Sequence, residues 1–222
     1  MTKLAHLLVF FAISFVNIPA PQHDSFVPPP PPPHVCEEPL VSVMFIDTYD
    51  EAMVKRQDIF YKIILLRPNH NIDHAVEIAD AVYAITQHYK LDYNVILSIM
   101  RIESNFNPKA LSPVGAIGLM QVMPFWASKP GSDCEGQDLW DINDNVDCGT
   151  KVYLHYLKMY GNQRLALSAY NRGPYLINQD LREGRDPIQA YVYDIKKVEK
   201  RLSLVTRVVH EFHDTQVAYL QP

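Results

Sequence analysis

Glu103 is the residue of this chain whose position best suits acid catalysis. It falls on the apolar stripe of a predicted helix, together with Ile96, Ile99 and Met100. No Lys or His stands one helical turn away to pair with the carboxylate. Burial without a cationic partner raises the pKa of a carboxyl group, as a general acid near neutral pH requires. The same spacing also fits a helix that ends at Glu103 and turns the side chain to solvent.

The composition is that of an ordinary folded protein with one globular domain. The chain has 222 residues, of which 48% are hydrophobic and 20% are charged. A net charge of −5 argues against a nucleic-acid partner, which would need a clustered basic surface. The densest basic cluster is expected to form a solvated helix face and comprises Lys196, Lys197, Lys200 and Arg201.

The N-terminal residues are predicted to direct export. Lys3 precedes an almost wholly apolar run that is followed by Ala20, so residues 1–20 are expected to be a signal peptide or an N-terminal anchor. The apolar run is shorter than the roughly 20 residues that a membrane span needs.

A proline-rich segment follows the export signal. Pro28–Pro33 is an unbroken proline run, and residues 21–40 are predicted to form an extended linker. The alternative is that this run is a ligand for a proline-binding module.

The three cysteines agree with an oxidising compartment. A bridge between Cys134 and Cys148 would close a 15-residue loop, worth about 3 kcal/mol in the chain-entropy description. The alternative is two buried free thiols. Cys36 is left over, either as a free thiol or as an intermolecular partner. The cysteine spacing does not suit a zinc site.

Helix caps and breakers predict a mainly α fold, because period-two alternation is nearly absent. A short helix is expected to end at Gln121, after the segment 115–118. The longer predicted helices run from the Thr48–Glu51 capping box to Leu65, from Asn71 to Tyr89, from Asp92 to Glu103, from Asn145 to Tyr160 and from Ile188 to Leu202.

The residues after Glu103 form the pattern Glu-Ser-x-Phe-x-Pro-x-Ala-x-Ser-x-x-Gly-Ala-x-Gly-Leu-Met-Gln-x-Met-Pro. This pattern resembles the catalytic signature of the soluble (family 1) lytic transglycosylases, whose catalytic domain is similar to goose-type lysozyme. Further matching motifs follow in the family's order at Asn145-Val146, Ala169–Pro174 and Tyr191-Val192.

The resemblance implies a domain organisation for the chain. A lysozyme-like helical catalytic domain with a substrate groove is expected over residues 71–205. A helical extension over residues 41–70 precedes it, and a C-terminal tail over residues 206–222 follows it.

The resemblance also implies the groove residues. Ser112, Gln121, Met123, Asn171 and Tyr191 match positions that line the substrate groove of the family, although Ser112 could equally be an ordinary turn residue and Met123 core filler. Tyr170 matches a tyrosine near the catalytic glutamate and is expected to hold the Glu103 carboxyl. Arg172 departs from the family's small residue and is expected at the groove rim or on a stem-peptide carboxylate.

The reaction that the resemblance implies is cleavage of the glycan strands of bacterial peptidoglycan. Glu103 would protonate the glycosidic oxygen and then take a proton from the C6 hydroxyl, which closes a 1,6-anhydro ring. The next acidic residue is Asp133, so the chain offers no local second carboxylate. No metal or cofactor is implied.

Other functions remain open at this stage. A goose-lysozyme-like hydrolase and a non-catalytic peptidoglycan-binding module are the alternatives. A location in the bacterial periplasm or cell envelope is expected. The sequence does not distinguish a role beside an envelope-spanning secretion or conjugation machine from a role in general wall turnover.

Overall fold

A computed structural model describes the backbone of residues 51–220 and the side chains of residues 51–206. This part of the chain contains eight helices and no strand. The helices are α1 Glu51–Leu66, α2 Ile72–Tyr89, α3 Tyr93–Glu103, α4 Phe125–Ser128, α5 Ile142–Tyr160, α6 Gln163–Arg172, α7 Pro174–Arg182 and α8 Ala190–Leu220. The predicted mainly α fold is therefore confirmed.

Side-chain caps fix where four of these helices begin. Asn71, Asp92, Asp141 and Asn162 each accept a backbone N–H from the first turn of the following helix. Because Asp141 is the cap, α5 begins at Ile142, earlier than the start predicted at Asn145.

The predicted short helix ending at Gln121 is wrong. Gly115, Gly118 and Gln121 all have positive φ, which a right-handed helix excludes. The segment instead forms a tight loop whose isolated bridges pair Ile117 with Leu111 and Val122. The helix in this region is α4, which begins after Pro124.

The C-terminal half also differs from the sequence prediction. Helices α6 and α7 were not predicted, since Gly173 and Pro174 separate two short segments without a long apolar repeat. The last helix continues to Leu220, so the expected tail over residues 206–222 is largely helical backbone.

The helix that ends at Glu103 is held between α1 and α8. Ile96, Ile99 and Met100 are fully buried on the inner face of α3. On its N-terminal part, the buried Lys62 of α1 pairs with Asp58 at 2.6 Å and donates to Asn94 at 3.0 Å and to Thr206 of α8. Burial lowers the pKa of Lys62. This network connects α1, α3 and α8 and fixes the helix that carries Glu103.

The predicted signal segment, the proline linker, Cys36 and Thr48 lie outside the described residues. Among the described residues, no helix is both long and apolar enough to cross a membrane.

Candidate active site

Glu103 is the last residue of α3 and its side chain is only partly exposed. The hydroxyl of Tyr191, from the first turn of α8, donates to Glu103 Oε1 at 2.6 Å. Burial raises the pKa of Glu103 to about 7, and the hydrogen bond from Tyr191 opposes that rise. No cation and no second carboxylate among the described residues contributes to this pKa. The carboxyl is therefore poised to exist in both protonation states near neutral pH.

Two tyrosines surround this carboxyl and have different roles. The Tyr170 hydroxyl donates to the Met120 carbonyl oxygen at 2.7 Å, whereas Tyr191 makes the direct bond to Glu103. The contact expected of Tyr170 is therefore made by Tyr191. Burial and the nearby Glu103 raise the pKa of both tyrosines, so both hydroxyls stay protonated at neutral pH and can donate hydrogen bonds.

A buried amide that sequence reasoning did not single out as functional holds the loop that contains Ile117 and Met120. Asn145 Nδ2 donates to the carbonyl oxygens of Ile117 at 2.9 Å and Leu139 at 2.8 Å, and its Oδ1 accepts from Met120 N–H at 2.8 Å. Gly118 leaves the space for this amide, because a Cβ there would lie 2.2 Å from Asn145 Nδ2. The Asn145-Val146 motif in the first turns of α5 is the sequence feature that could have identified this amide.

Gln121 has a left-handed backbone with φ of 50°. Its Nε2 donates to the carbonyl oxygens of Gly118 at 2.9 Å and Ala110 at 3.3 Å. These bonds fix the amide, and its Oε1 makes no hydrogen bond within residues 51–206, so it can accept one from a ligand.

Four of the predicted groove residues meet at one cavity of about 200 Å³. They are Gln121, Met123, Tyr170 and Asn171. The aromatic rings of Phe125, Trp126 and Tyr156 form much of the remaining wall. Glu103 does not line this cavity itself, but Tyr170 is common to the cavity wall and to the surroundings of the carboxyl.

Ser112 lies in the loop rather than on this cavity wall. Its Oγ accepts the N–H of Ala116 at 2.9 Å, and its backbone N–H donates to the Ala116 carbonyl oxygen at 2.9 Å. In the structure Ser112 thus closes a turn, which was the alternative reading of this residue. Contact between Ser112 and substrate stays a prediction.

Arg172, which was expected at the groove rim or on a stem-peptide carboxylate, is engaged by partners within the protein. Its guanidinium pairs with Asp180 at 2.8 Å and donates to the Pro187 carbonyl oxygen at 3.2 Å. Arg185 pairs with the same carboxylate at 2.9 Å. Both arginines lower the pKa of Asp180. Arg172 therefore belongs to an ion cluster that joins α6 to α7.

The acidic residues of the loop between the cysteines are also accounted for by local structure. Asp141 caps α5, and Asp144 accepts the Asp138 N–H at 2.8 Å. Asp147 pairs with Lys151 at 2.6 Å. No group of three or more His, Cys, Asp or Glu side chains in the described part of the chain is arranged to hold a metal.

The predicted disulfide is confirmed, since Cys134 and Cys148 are joined with an Sγ–Sγ distance of 2.09 Å. Both cysteines are buried. The bond ties the irregular loop after α4 to α5, the helix that also carries Asn145.

Comparison with known proteins identifies the family. The sequence model described as "Transglycosylase SLT domain" matches residues 80–192, which is about half of the chain and includes Glu103, Gln121, Tyr170 and Tyr191. The chain belongs to this family. Helix α1 and most of α8 lie outside the matched part of the SLT domain.

Two curated relatives carry names that describe transglycosylases of murein. The chain is 35% identical over 130 residues to the membrane-bound lytic murein transglycosylase C of Edwardsiella ictaluri, covering 52% of this chain and 36% of that protein. It is 44% identical over 86 residues to the soluble lytic murein transglycosylase of Escherichia coli, covering 35% of this chain and 13% of that protein. The SLT-domain chain thus spans about a third of the first relative and less of the second.

A solved structure is also similar to this SLT-domain protein. It is the complex of the 70-kDa soluble lytic transglycosylase with bulgecin A, at 25% sequence identity and a TM-score of 0.47. The match covers 67% of this chain and 29% of that chain.

Proposed function

We propose that this protein is a peptidoglycan lytic transglycosylase, cleaving the β-1,4 bond between N-acetylmuramic acid and N-acetylglucosamine. The observation that carries the proposal is the Glu103 carboxyl: burial raises its pKa to about 7, and no cation in the described part of the chain opposes that rise. Membership of the SLT family and the names of the relatives support the reaction class.

In the proposed first step, neutral Glu103 gives its proton to the glycosidic oxygen as the bond breaks. The sugar's own N-acetyl group stabilises the developing cation. The resulting carboxylate is stabilised by the Tyr191 hydroxyl, which already donates to Oε1 at 2.6 Å. The same carboxylate then takes the proton of the C6 hydroxyl as that oxygen closes the 1,6-anhydro ring, which returns Glu103 to its starting state.

The surroundings of Glu103 favour this reaction over hydrolysis. Glycosidases with two carboxylates hold them about 5 Å apart or about 6.5–9.5 Å apart. Within residues 51–206 the Glu103 carboxyl has one hydrogen-bond partner, the Tyr191 hydroxyl. Asp141, Asp144 and Asp147 serve a helix cap, a turn and an ion pair instead. A nucleophile from the sugar needs no second carboxylate.

The proposed substrate groove uses the predicted binding residues. Gln121 Oε1 is available to accept an amide or hydroxyl proton of a sugar, and Met123, Tyr170 and Asn171 line the same cavity. Tyr191 does not line this cavity, and its proposed contribution is the hydrogen bond to Glu103. Ser112 is included as a proposed substrate contact, because its Oγ accepts the Ala116 N–H and its hydroxyl can still donate.

The proposal extends to location and organisation. We assign residues 1–20 to export and residues 21–40 to a linker, with the catalytic domain over residues 71–205 in the bacterial periplasm or cell envelope. The buried disulfide supports an oxidising compartment. Association with an envelope-spanning secretion or conjugation machine is a further part of the proposal.

Product analysis of purified peptidoglycan tests the reaction. Fragments should end in 1,6-anhydro-N-acetylmuramic acid and be lighter by one water than lysozyme fragments. Reducing ends that incorporate ¹⁸O from labelled water would make the protein a hydrolase. Tight binding to sacculi without either product would make it a binding module.

A further inference from the structure

Two consecutive residues shortly after Glu103 have a left-handed backbone. Asn105 has a φ of 52° and Phe106 has a φ of 60°, and neither residue is a glycine. Residues other than glycine rarely adopt this conformation, so two in succession persist only where neighbouring contacts hold them. The Met100 carbonyl oxygen accepts the Ser104 N–H at 3.1 Å and the Phe106 N–H at 3.4 Å. The turn thus sets the path of the chain directly after the last residue of α3.

The turn also connects the end of α3 to the loop that carries Met120. Ser104 Oγ donates to the Leu119 carbonyl oxygen at 2.7 Å. Leu119 precedes Met120, whose own carbonyl oxygen accepts the Tyr170 hydroxyl at 2.7 Å. A change in the turn would therefore alter the position of the Glu103 carboxyl relative to this loop.

The junction between α1 and α2 holds the turn through one hydrogen bond. Arg67, the first residue after α1, donates from Nη1 to the Asn105 carbonyl oxygen at 2.8 Å. Among the described residues, this carbonyl oxygen accepts no other hydrogen bond. The backbone of Arg67 is itself fixed, since its N–H donates to the Ile63 carbonyl oxygen at 2.9 Å and its carbonyl oxygen accepts the His70 N–H at 3.0 Å.

The same junction packs a buried imidazole against the turn. His70 is 7% exposed, and its ring centroid lies 6.4 Å from that of the fully buried Phe106. Its Nε2 has no hydrogen-bond partner among the described residues. Burial, together with the nearby Arg67 and His74, lowers the pKa of His70, so the ring is neutral near pH 7. His70 therefore supports Phe106 by packing, while Arg67 holds Asn105 by a hydrogen bond.

We propose that Arg67 is a positioning residue for Glu103 and acts through the left-handed turn at Asn105 and Phe106. The inference rests on the proposed function, because it concerns the placement of the proposed acid. Arg67 lies outside the matched SLT domain over residues 80–192, so this support comes from the preceding helical extension. When Arg67 is lost, the turn loosens and water reaches the Glu103 carboxyl. The pKa that burial raises to about 7 then falls toward its ordinary value.

The variant Arg67→Met tests this role, because it removes the donor and keeps an apolar stem. Arg67 is only half-buried, so the variant should fold. The kcat on purified peptidoglycan should fall about tenfold, since a displaced catalytic group costs up to about 10²-fold in rate. The KM should change little, because Arg67 does not line the cavity that contains Gln121 and Met123. The high-pH limb of the pH–rate profile should move to lower pH, because the acid loses its proton at lower pH.

Two further variants separate positioning from general loosening of α1. Arg67→Lys keeps a cationic donor and should recover most of the kcat and the position of the high-pH limb. The matched control Arg56→Met removes a cation from α1 that pairs with Asp80 of α2 at 3.5 Å. It should leave both the kcat and the high-pH limb unchanged.

A titration of the Glu103 carboxyl by ¹³C NMR decides the inference without turnover. Loss of a nearby positive charge by itself raises the pKa of a carboxyl group, so a fall in Arg67→Met reports a changed environment. An unchanged or raised pKa of Glu103 in Arg67→Met, or an equal fall in Arg56→Met, would overturn the positioning role. So would a lower Tm of Arg67→Met with the high-pH limb in place. If the wild type does not cleave peptidoglycan, the proposed function fails, and the titration still shows whether Arg67 positions the carboxyl.

Discussion

Glu103 and Asp180 are both acidic side chains shielded from solvent, but their partners differ. Asp180 is paired with Arg172 at 2.8 Å and Arg185 at 2.9 Å, and these cations lower its pKa. Within residues 51–206, Glu103 is hydrogen-bonded only by the neutral hydroxyl of Tyr191, and burial raises its pKa to about 7.

Shielding from solvent alone therefore does not assign a role to an acidic residue. The chain supplies cations where a carboxylate must stay ionised to join two helices, as it does between α6 and α7. Among the described residues, no cation pairs with Glu103 at the end of α3, where a proton must be gained and lost. The absence of a cation is thus the feature that separates the proposed acid from the structural one.

The largest expected effect is the loss of activity in Glu103→Gln. Glycan cleavage should fall by about 10²–10⁴, because the amide cannot donate a proton to the leaving oxygen. The fold should persist, since the amide is nearly isosteric and can still accept from Tyr191. Turnover is measured on purified peptidoglycan, with Glu77→Gln on the exposed face of α2 as the control. Comparable turnover of Glu103→Gln and Glu77→Gln would remove Glu103 from the mechanism.

A smaller effect is expected when the Tyr191 hydroxyl is removed. The hydrogen bond lowers the pKa of Glu103, so Tyr191→Phe should raise that pKa further. Activity falls as pH rises through the pKa of the acid, which gives the high-pH limb of the pH–rate profile. In Tyr191→Phe this high-pH limb should move to higher pH. Loss of carboxylate stabilisation should reduce kcat by about tenfold.

Tyr170→Phe is the matched control for this shift. The Tyr170 hydroxyl donates to the Met120 carbonyl oxygen rather than to Glu103. The high-pH limb should therefore stay where it is in the wild type. A shift of equal size in both variants would contradict the assignment of the direct contact to Tyr191.

The smallest effect on activity is expected at the other carboxylate. Asp180→Asn should lower Tm by several degrees while kcat changes little, because Arg172 and Arg185 lose their shared partner. The folded pKa is depressed, so the stability from Asp180 is present above the unfolded pKa and is lost as pH falls through the folded pKa. The Tm difference should therefore narrow in acid.

The exposed ion pair between Arg56 and Asp80 provides the control for Asp180. Asp80→Asn should change Tm little, because exposed pairs contribute little to stability. A large loss of activity in Asp180→Asn at a temperature where the variant is folded would contradict the structural role of Asp180, since this carboxylate would then act in the site.

Much of this site was predictable from local sequence. The apolar stripe placed Glu103 on the inner side of a helix, and caps such as Asn71 and Asp92 gave the starts of α2 and α3 within a residue. The spacing of Cys134 and Cys148 predicted their bond. These features depend on residues that are near one another in the chain or on one helix face.

The features that were missed depend on contacts between distant segments. Tyr191 reaches Glu103 across 88 positions, so no local pattern could rank it above Tyr170. The pairing of Arg172 with Asp180 depends on how α6 and α7 meet at Gly173, and neither helix was predicted. The left-handed backbone of Gln121 likewise depends on the Asn145 amide that holds the loop.

The most direct test of the account is a titration of the carboxyl carbons by ¹³C NMR, with glutamate labelled in the wild type and in Glu103→Gln. The wild type should show one glutamate that titrates with a pKa of about 7, and this signal should be missing from the variant. If the signal that disappears titrates instead near 4.5, the usual value for glutamate, then Glu103 is an ordinary ionised carboxylate and is not the general acid.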